Sequence, residues 1–219
     1  MSKNILILGA SKGIGSACAT LFRSQGHTVT GIARSGPVEV HGDISNGPFR
    51  DSVINNHNPD IMINCVGGWG NRPYGQSMHL NAGCSVDLML RFYEKMPAGS
   101  YIINLSSLMA NFASGWEGIP AERIAYMASK RAMTAATTAL AQSKRRNVHV
   151  VAVEPGEVHP TNFGEWKDIP DTNYTNFEFD RFTPYRPSDI AEVVDWIVTR
   201  PPWFGISQIT LNNHCLRGK

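Results

Sequence analysis

Residues Asn4 to Leu8 form a short apolar run that ends in Gly9-Ala10-Ser11-Lys12-Gly13-Ile14-Gly15, and this juncture constrains the fold more than any other stretch. This run, rich in Ile and Leu, reads as a strand. Ser16 to Gln25, carrying Ala17, Ala19, Leu21 and Phe22, reads as a helix stopped at Gly26. A strand that runs through a glycine-rich turn into a helix is the opening unit of a doubly wound parallel sheet. Such a turn lets backbone N–H groups approach an anion at the helix N-terminus, where the helix dipole favours negative charge. Dinucleotide binding is therefore preferred over a bare loop for this turn.

The rest of the chain repeats the alternation. Thr28 to Ala33 is a second strand, followed by Arg34-Ser35 where many dinucleotide sites carry an acidic residue for the ribose 2′-hydroxyl. An arginine suits a 2′-phosphate, and Lys12 adds a second positive charge on the same side. NADP is thus expected in preference to NAD, the plainer alternative for Arg34 being an exposed strand-end charge. Val38 to His41 is a third strand, reached through Ser35-Gly36-Pro37, which is too short to hold a crossover helix. Asp43 either accepts from an adenine amine or caps the next helix. A fourth strand, Ile61 to Cys65, leads into Val66-Gly67-Gly68. A helical stretch from about Met78 to Tyr93 contains Asn81, and a fifth strand from Tyr101 ends in Ser106-Ser107. A sixth strand, Val148 to Val153, ends in Glu154-Pro155-Gly156. The chain closes with a helix from Ser188 to Thr199, opened by Pro187-Ser188-Asp189, and a strand at Ile206 to Leu211. These features predict a Rossmann-type α/β fold: one domain over residues 1–219, with a parallel sheet and helices on both faces.

Between the fifth and sixth strands lies Tyr126-Met127-Ala128-Ser129-Lys130. On a helix this spacing sets the phenol and the ammonium on one face, about one turn apart. A cation there favours phenolate over phenol and would tune the tyrosine toward acid/base work. The spacing alone also occurs on solvated helix faces, so its weight comes from the cofactor turn and the serine-ended strand that precede it.

Taken together, Gly9-x-x-x-Gly13-x-Gly15, Asp43, Asn64 to Gly67, Asn81, Ser107, Tyr126-x-x-x-Lys130 and Pro155-Gly156 resemble the short-chain dehydrogenase/reductase family in order and over nearly the whole length. The form is compact, with a shortened connection between strands 2 and 3. The resemblance implies a catalytic tetrad of Asn81, Ser107, Tyr126 and Lys130. It also implies a cofactor site formed by Gly9, Ser11, Lys12, Gly13, Ile14, Gly15, Arg34, Ser35, Asp43, Asn64, Val66, Gly67, Tyr126, Lys130, Pro155, Gly156, Val158 and Thr161. On this reading nicotinamide delivers hydride to a carbonyl carbon while Tyr126 protonates the developing alkoxide and Ser107 bonds the same oxygen. Lys130 lowers the tyrosine pKa, and Asn81 holds a water that links Lys130 to solvent. The implied function is NADP-dependent transfer of hydride between nicotinamide and a carbonyl or alcohol. An epimerase or dehydratase using the same site, or a non-catalytic NADP-binding sensor, are the alternatives. A homodimer or homotetramer is also implied.

Two segments depart from the family pattern. Leu108 to Arg123 is a longer connection than usual, with Met109, Phe112 and Trp116 placed either to wall a substrate pocket or to meet a partner subunit. Residues from about 158 to 187 carry His159, Phe163, Trp166, Tyr174, Phe177, Phe179 and Phe182 without a sustained period, and read as a substrate lid. Trp69, Met109, Trp116, His159, Phe163 and Trp166 are the candidate substrate residues. The family's phosphate-contacting threonine aligns with Pro160, with Thr161 one residue on.

Composition excludes other classes. With 219 residues and 42% hydrophobic content the chain suits one well-buried core, and a net charge of +2 is too small to imply nucleic acid or an anionic membrane. The basic cluster Lys144-Arg145-Arg146 lies where a helix should end and complements its dipole. Cys18, Cys65, Cys84 and Cys215 form no Cys-x-x-Cys pair, and the seven histidines show no metal spacing. No signal-peptide architecture or bilayer-spanning run is present, so a cytoplasmic setting is expected.

Overall fold

The computed structural model describes residues 2–68, 73–111, 121–143, 146–159, 161 and 183–213. Its centre is a sheet of seven parallel strands in the order β3-β2-β1-β4-β5-β6-β7. The strands are β1 (Asn4–Leu8), β2 (Thr28–Ala33), β3 (Val40–His41), β4 (Ile61–Asn64), β5 (Ser100–Leu105), β6 (Val148–Pro155) and β7 (Gln208–Leu211). The first two match the expected strands residue for residue. Strand β3 is two residues shorter than expected, and β6 runs on through Glu154 and Pro155.

Alternate side chains of each strand leave the sheet on opposite faces, and each face has its own core. Ile5, Ile7, Ile61, Ile63, Ile103 and Val151 meet Cys18, Ala19 and Phe22 of α1 (Gly13–Ser24). They share that layer with Ile190, Val194 and Ile197 of α6 (Pro187–Val198). On the other face Leu6, Leu8, Met62, Ile102 and Val150 meet Val53 and Ile54 of α2 (Gly47–Asn56) and Leu88, Met89 and Phe92 of α4 (Cys84–Lys95). Ala136 and Leu140 of α5 (Ala121–Ser143) close that layer. The doubly wound architecture is thus written in the period of the strands.

The connection from β2 to β3 contains no helix. Gly36 has φ +92, and Val38 N donates to Gly36 O, which turns the chain within a few residues. Glu39 secures the turn from below, accepting from Gly31 N at 2.6 Å and pairing with Arg23 at 2.6 Å. Asn46, not Asp43, caps α2, its Oδ1 accepting from Phe49 N at 3.0 Å. Asp43 instead accepts from Ser45 N at 2.9 Å. At the start of α6, Arg186 N donates to Asp189 Oδ2 at 2.7 Å, as the Pro-Ser-Asp opening suggested.

The stretch expected as one helix from Met78 to Tyr93 has three parts. Helix α3 (Tyr74–Met78) passes into a π turn over His79–Gly83 and then into α4, with Cys84 N bonding back five residues to His79 O. Arg146 bonds the carbonyls of Glu94 and Met96 at the end of α4, so it serves that helix and not α5. Lys144 and Arg145 lie outside the described residues. None of the described helices is long and apolar enough to cross a membrane.

Candidate active site

All strands point the same way, so their C-terminal ends gather at one edge, and the sheet order reverses between β1 and β4. That edge is where ligands bind in open α/β sheets. A cavity of about 1280 Å³ opens there, running from the Gly9–Gly15 turn past the ends of β2 and β4 to Tyr126 on α5.

The glycine turn is shaped for close backbone approach. Gly9 has φ +81, and a Cβ on Gly15 would stand 2.2 Å from Gly9 O, so no side chain fits between the turn and the helix it opens. No side chain caps α1 and its first turn holds no acidic residue, while Lys12, Gly13, Ile14 and Gly15 line the cavity. The N–H groups and positive dipole end of α1 therefore face a space suited to a pyrophosphate. Ser11, Arg34, Ser35 and Asp43 line the same end of the cavity, and Val66 and Gly67 line the exit of β4. Pro155, Gly156, Val158 and Thr161 form the wall beyond β6, and Thr161 Cγ2 would lie 3.6 Å from a Cβ on Gly13. Thr161 thus faces the glycine turn, despite its one-residue offset from the family position.

At the other end Tyr126 and Lys130 project from α5, and both are buried, with 5% and 3% exposure. A hydrogen bond joins the Ser107 hydroxyl to the Tyr126 phenol. Ser107 also accepts from Met109 N at 3.2 Å, which caps the short 3-10 turn Leu108–Ala110. Its neighbour Ser106 is committed elsewhere, 2.7 Å from Thr134 Oγ1 and donating to Lys130 O at 3.2 Å. Lys130 Nζ donates to Leu105 O at 2.8 Å and stands 5.9 Å from the Tyr126 ring centre.

The electrostatics differ from the expectation that Lys130 lowers the tyrosine pKa. Burial raises the Tyr126 phenol well above its usual value; the Ser107 bond opposes this and the charge of Glu157 adds to it. Burial also pushes Lys130 down to about 8, with Cys65 as a smaller opposing influence. That Cys65 thiol is itself raised by its hydrogen bond to Cys18 and by burial. Desolvation is the largest influence on both groups because both side chains are almost wholly buried.

Three expected site residues do not line the cavity. Asn81 is fully buried in the π turn; its Oδ1 accepts from Gly68 N at 2.9 Å, and its Nδ2 donates to Gly68 O and to Ser129 Oγ, each at 3.1 Å. A side chain so engaged clamps the β4 exit to α5. Asn64 is also fully buried, accepting from Val66 N at 3.1 Å and supporting the cavity wall from behind. His159 is 2% exposed, and its backbone N–H bonds Tyr185 O at 2.7 Å. It belongs to the frame of the wall, not to its substrate face. Among the other candidate substrate residues Met109 does line the cavity. Trp69, Phe112, Trp116, Phe163 and Trp166 lie outside the described residues, as does most of the expected lid.

The cavity also contains residues that the motifs did not single out. Arg123 precedes Tyr126 by three positions on α5, Glu157 follows Gly156, and Asn212 and Asn213 follow β7. Glu157 could have been found from its place just beyond the carboxyl end of β6. Nothing in the sequence links Asn213 to it.

An uncapped helix N-terminus behind a glycine turn, joined through one cavity to a Ser-Tyr-Lys cluster, defines a Rossmann-type enzyme of the dinucleotide-binding class. Comparison with known proteins narrows this. A family model described as the NAD dependent epimerase/dehydratase family matches residues 5–162. Dehydrogenase/reductase SDR family member 11 from Bos taurus is 26% identical over 94% of this chain and 94% of its own. An NADPH-dependent pterin aldehyde reductase from Arabidopsis thaliana is 25% identical over 72% of this chain and 76% of its own. The fold is shared with the aldohexose dehydrogenase of Thermoplasma acidophilum, at a TM-score of 0.79 and 18% identity, over 96% of this chain and 92% of that one. The chain belongs to the short-chain dehydrogenase/reductase family, a family of oxidoreductases.

Proposed function

We propose that this protein is an NADP-dependent carbonyl reductase or alcohol dehydrogenase in which Tyr126 is the general acid/base. The observation that carries the reading is the Ser107–Tyr126 hydrogen bond beside Lys130, at the end of a cavity that begins at the bare N-terminus of α1. Bound there, nicotinamide would supply or accept the hydride. Tyr126 gives its proton to the substrate oxygen in reduction, and Ser107 donates to that same oxygen as charge develops. Burial keeps Tyr126 in its protonated form, which is the form reduction needs. Lys130 holds its charge at neutral pH with one N–H committed to Leu105 O, so its remaining donors can serve the ribose side of the site.

The phosphates of the cofactor fit against the N–H groups of Gly13 to Gly15, and Lys12, Arg34 and Ser35 supply the charge and donors that a 2′-phosphate calls for. The NADPH named for the Arabidopsis relative agrees with this choice. Homo-oligomerisation belongs to the same reading; Trp203, 81% exposed, and Phe204 lie in the connection between α6 and edge strand β7.

The test is NADPH oxidation over a panel of aldehydes and ketones by wild type and Tyr126→Phe. Loss of about a hundredfold or more is expected, and wild-type rates in the variant would remove Tyr126 from the mechanism. The matched family model favours a second reading, epimerisation or dehydration at the same site. Isomeric or dehydrated products without net cofactor oxidation would establish it in place of the first.

A further inference from the structure

Glu157 has a fixed backbone and a carboxylate exposed on the cavity wall. Its N–H donates to Asn213 Oδ1 at 2.6 Å, and its carbonyl accepts from Asn213 Nδ2 at 3.0 Å and from Tyr185 N at 2.9 Å. Asn213 Nδ2 also reaches Thr183 O at 3.1 Å, and Tyr185 Oη donates to Asn212 O at 2.8 Å. The end of β7 is thereby tied to residues 183–185 and to the loop after β6. Gly156 makes room for the tie, since a Cβ there would stand 2.1 Å from Asn213 Oδ1.

The Glu157 carboxylate, by contrast, forms no hydrogen bond with any described residue. It lines the cavity beside Tyr126, Arg123 and Met109, and water reaches it from the cavity side. Its negative charge bears on the Tyr126 phenol and is itself offset by Arg123. Partial desolvation by the surrounding protein raises the carboxyl pKa even so, although the residue is exposed to the cavity. A substrate bound beside Tyr126 would cover this carboxylate, and a covered carboxylate is costly unless a donor meets it.

We propose that Glu157 is a substrate-recognition residue, positioned by Asn213, that selects carbonyl compounds bearing a hydroxyl or amino donor close to the reacting carbon. This inference rests on the oxidoreductase reading and names the substrate class of that site. With the substrate oxygen at Tyr126 and Ser107, the neighbouring part of the molecule faces Glu157. A hydroxyl or ammonium there satisfies the carboxylate, whereas a hydrogen or methyl group leaves it desolvated and unpaired. Sites built around such a bond discriminate strongly against the analogue that lacks it.

The test uses matched pairs of ketones and aldehydes, each tried with and without an α-hydroxyl or α-amino group, with NADPH or NADH supplied. The readout is the ratio of kcat/KM within a pair for wild type, Glu157→Gln, Glu157→Ala and Asn213→Ala. Wild type should prefer the donor-bearing member by about tenfold to a hundredfold, as for a hydrogen bond to a charged group. E157A should bring the ratio close to one, E157Q should fall between, and N213A should lower it in the same direction. A general folding defect slows both members together and leaves the ratio intact. An unchanged ratio in E157A, or no preference in wild type, overturns the proposal while the oxidoreductase reading stands. No turnover of any member by wild type overturns both.

Discussion

The buried ammonium of Lys130 can be weighed by its effect on stability. An ordinary lysine titrates at 10.5, and this one is pushed down to about 8 by burial. Below pH 8 the lysine is protonated in both folded and unfolded chains, and the folded protein bears the full cost of a desolvated charge. Between about 8 and 10.5 the unfolded chain keeps a proton that the folded one has released. Stability rises with pH wherever the unfolded state binds more protons, so the cost is relieved across this window. Integrated from pH 7 to pH 10, the two titrations differ by about 2.5 kcal/mol. Lys130→Met removes that contribution and leaves every other titrating group in place. It also strands the Leu105 carbonyl, but this loss does not depend on pH and cancels in the slope. Reversible urea denaturation of both proteins at intervals from pH 7 to 10 measures the difference. Wild type should gain stability relative to K130M by about 2.5 kcal/mol, equivalent to about 1 M in urea midpoint. Parallel stability profiles would refute the buried, downward-shifted ammonium and with it the electrostatic account of the site.

Three other outcomes are expected. Ser107→Ala removes the bond that lowers the Tyr126 pKa. The limb of alcohol oxidation that needs phenolate should therefore move to higher pH, read from pH–rate profiles of kcat/KM. Arg34→Ala should weaken NADPH binding by about tenfold to a hundredfold while changing NADH binding far less, measured by fluorescence titration. Glu154 is fully buried and accepts from Thr134, Asn111, Gln208 and Thr210, thereby joining α5, the 3-10 turn and β7 to the end of β6. Glu154→Ala leaves those donors stranded and should cost about 3 kcal/mol or more in urea denaturation; a loss below 1 kcal/mol would show that water replaces the carboxylate.

The site is built at two levels of precision. The cofactor end depends on what backbone can do, so its residues are glycines and the small or charged residues between them. The Tyr126 end depends on side chains held by others: Ser107 beside the phenol, Leu105 O below the ammonium, Asn81 joining Gly68 to Ser129. A Cβ on Gly67 would lie 3.1 Å from Lys130 Nζ and 3.4 Å from Asn81 Oδ1, which sets how near the two stand to the strand exit. Residues that line the cavity and residues that hold them are therefore intermingled along the chain.

What local sequence determined is what local physics governs. The apolar run Ile5 to Leu8 placed β1, because a strand buried on both faces needs unbroken hydrophobic residues whatever surrounds it. The glycine turn, the absent helix before β3 and the Tyr126–Lys130 spacing were legible for the same reason: each depends on a few adjacent residues. Only the tertiary structure decided the π turn, since His79 to Gly83 carry no local preference for it and Asn81 is drawn there by bonds to Gly68 and Ser129. It alone decided that desolvation governs Tyr126 and Lys130, that His159 is turned inward and that Asn64 stands behind the wall, because burial belongs to the assembled layers. Glu157, Arg123 and Asn213 come from three parts of the chain and meet where the parallel strands end. Their meeting follows from strand order, a property of the whole sheet that no stretch of residues contains.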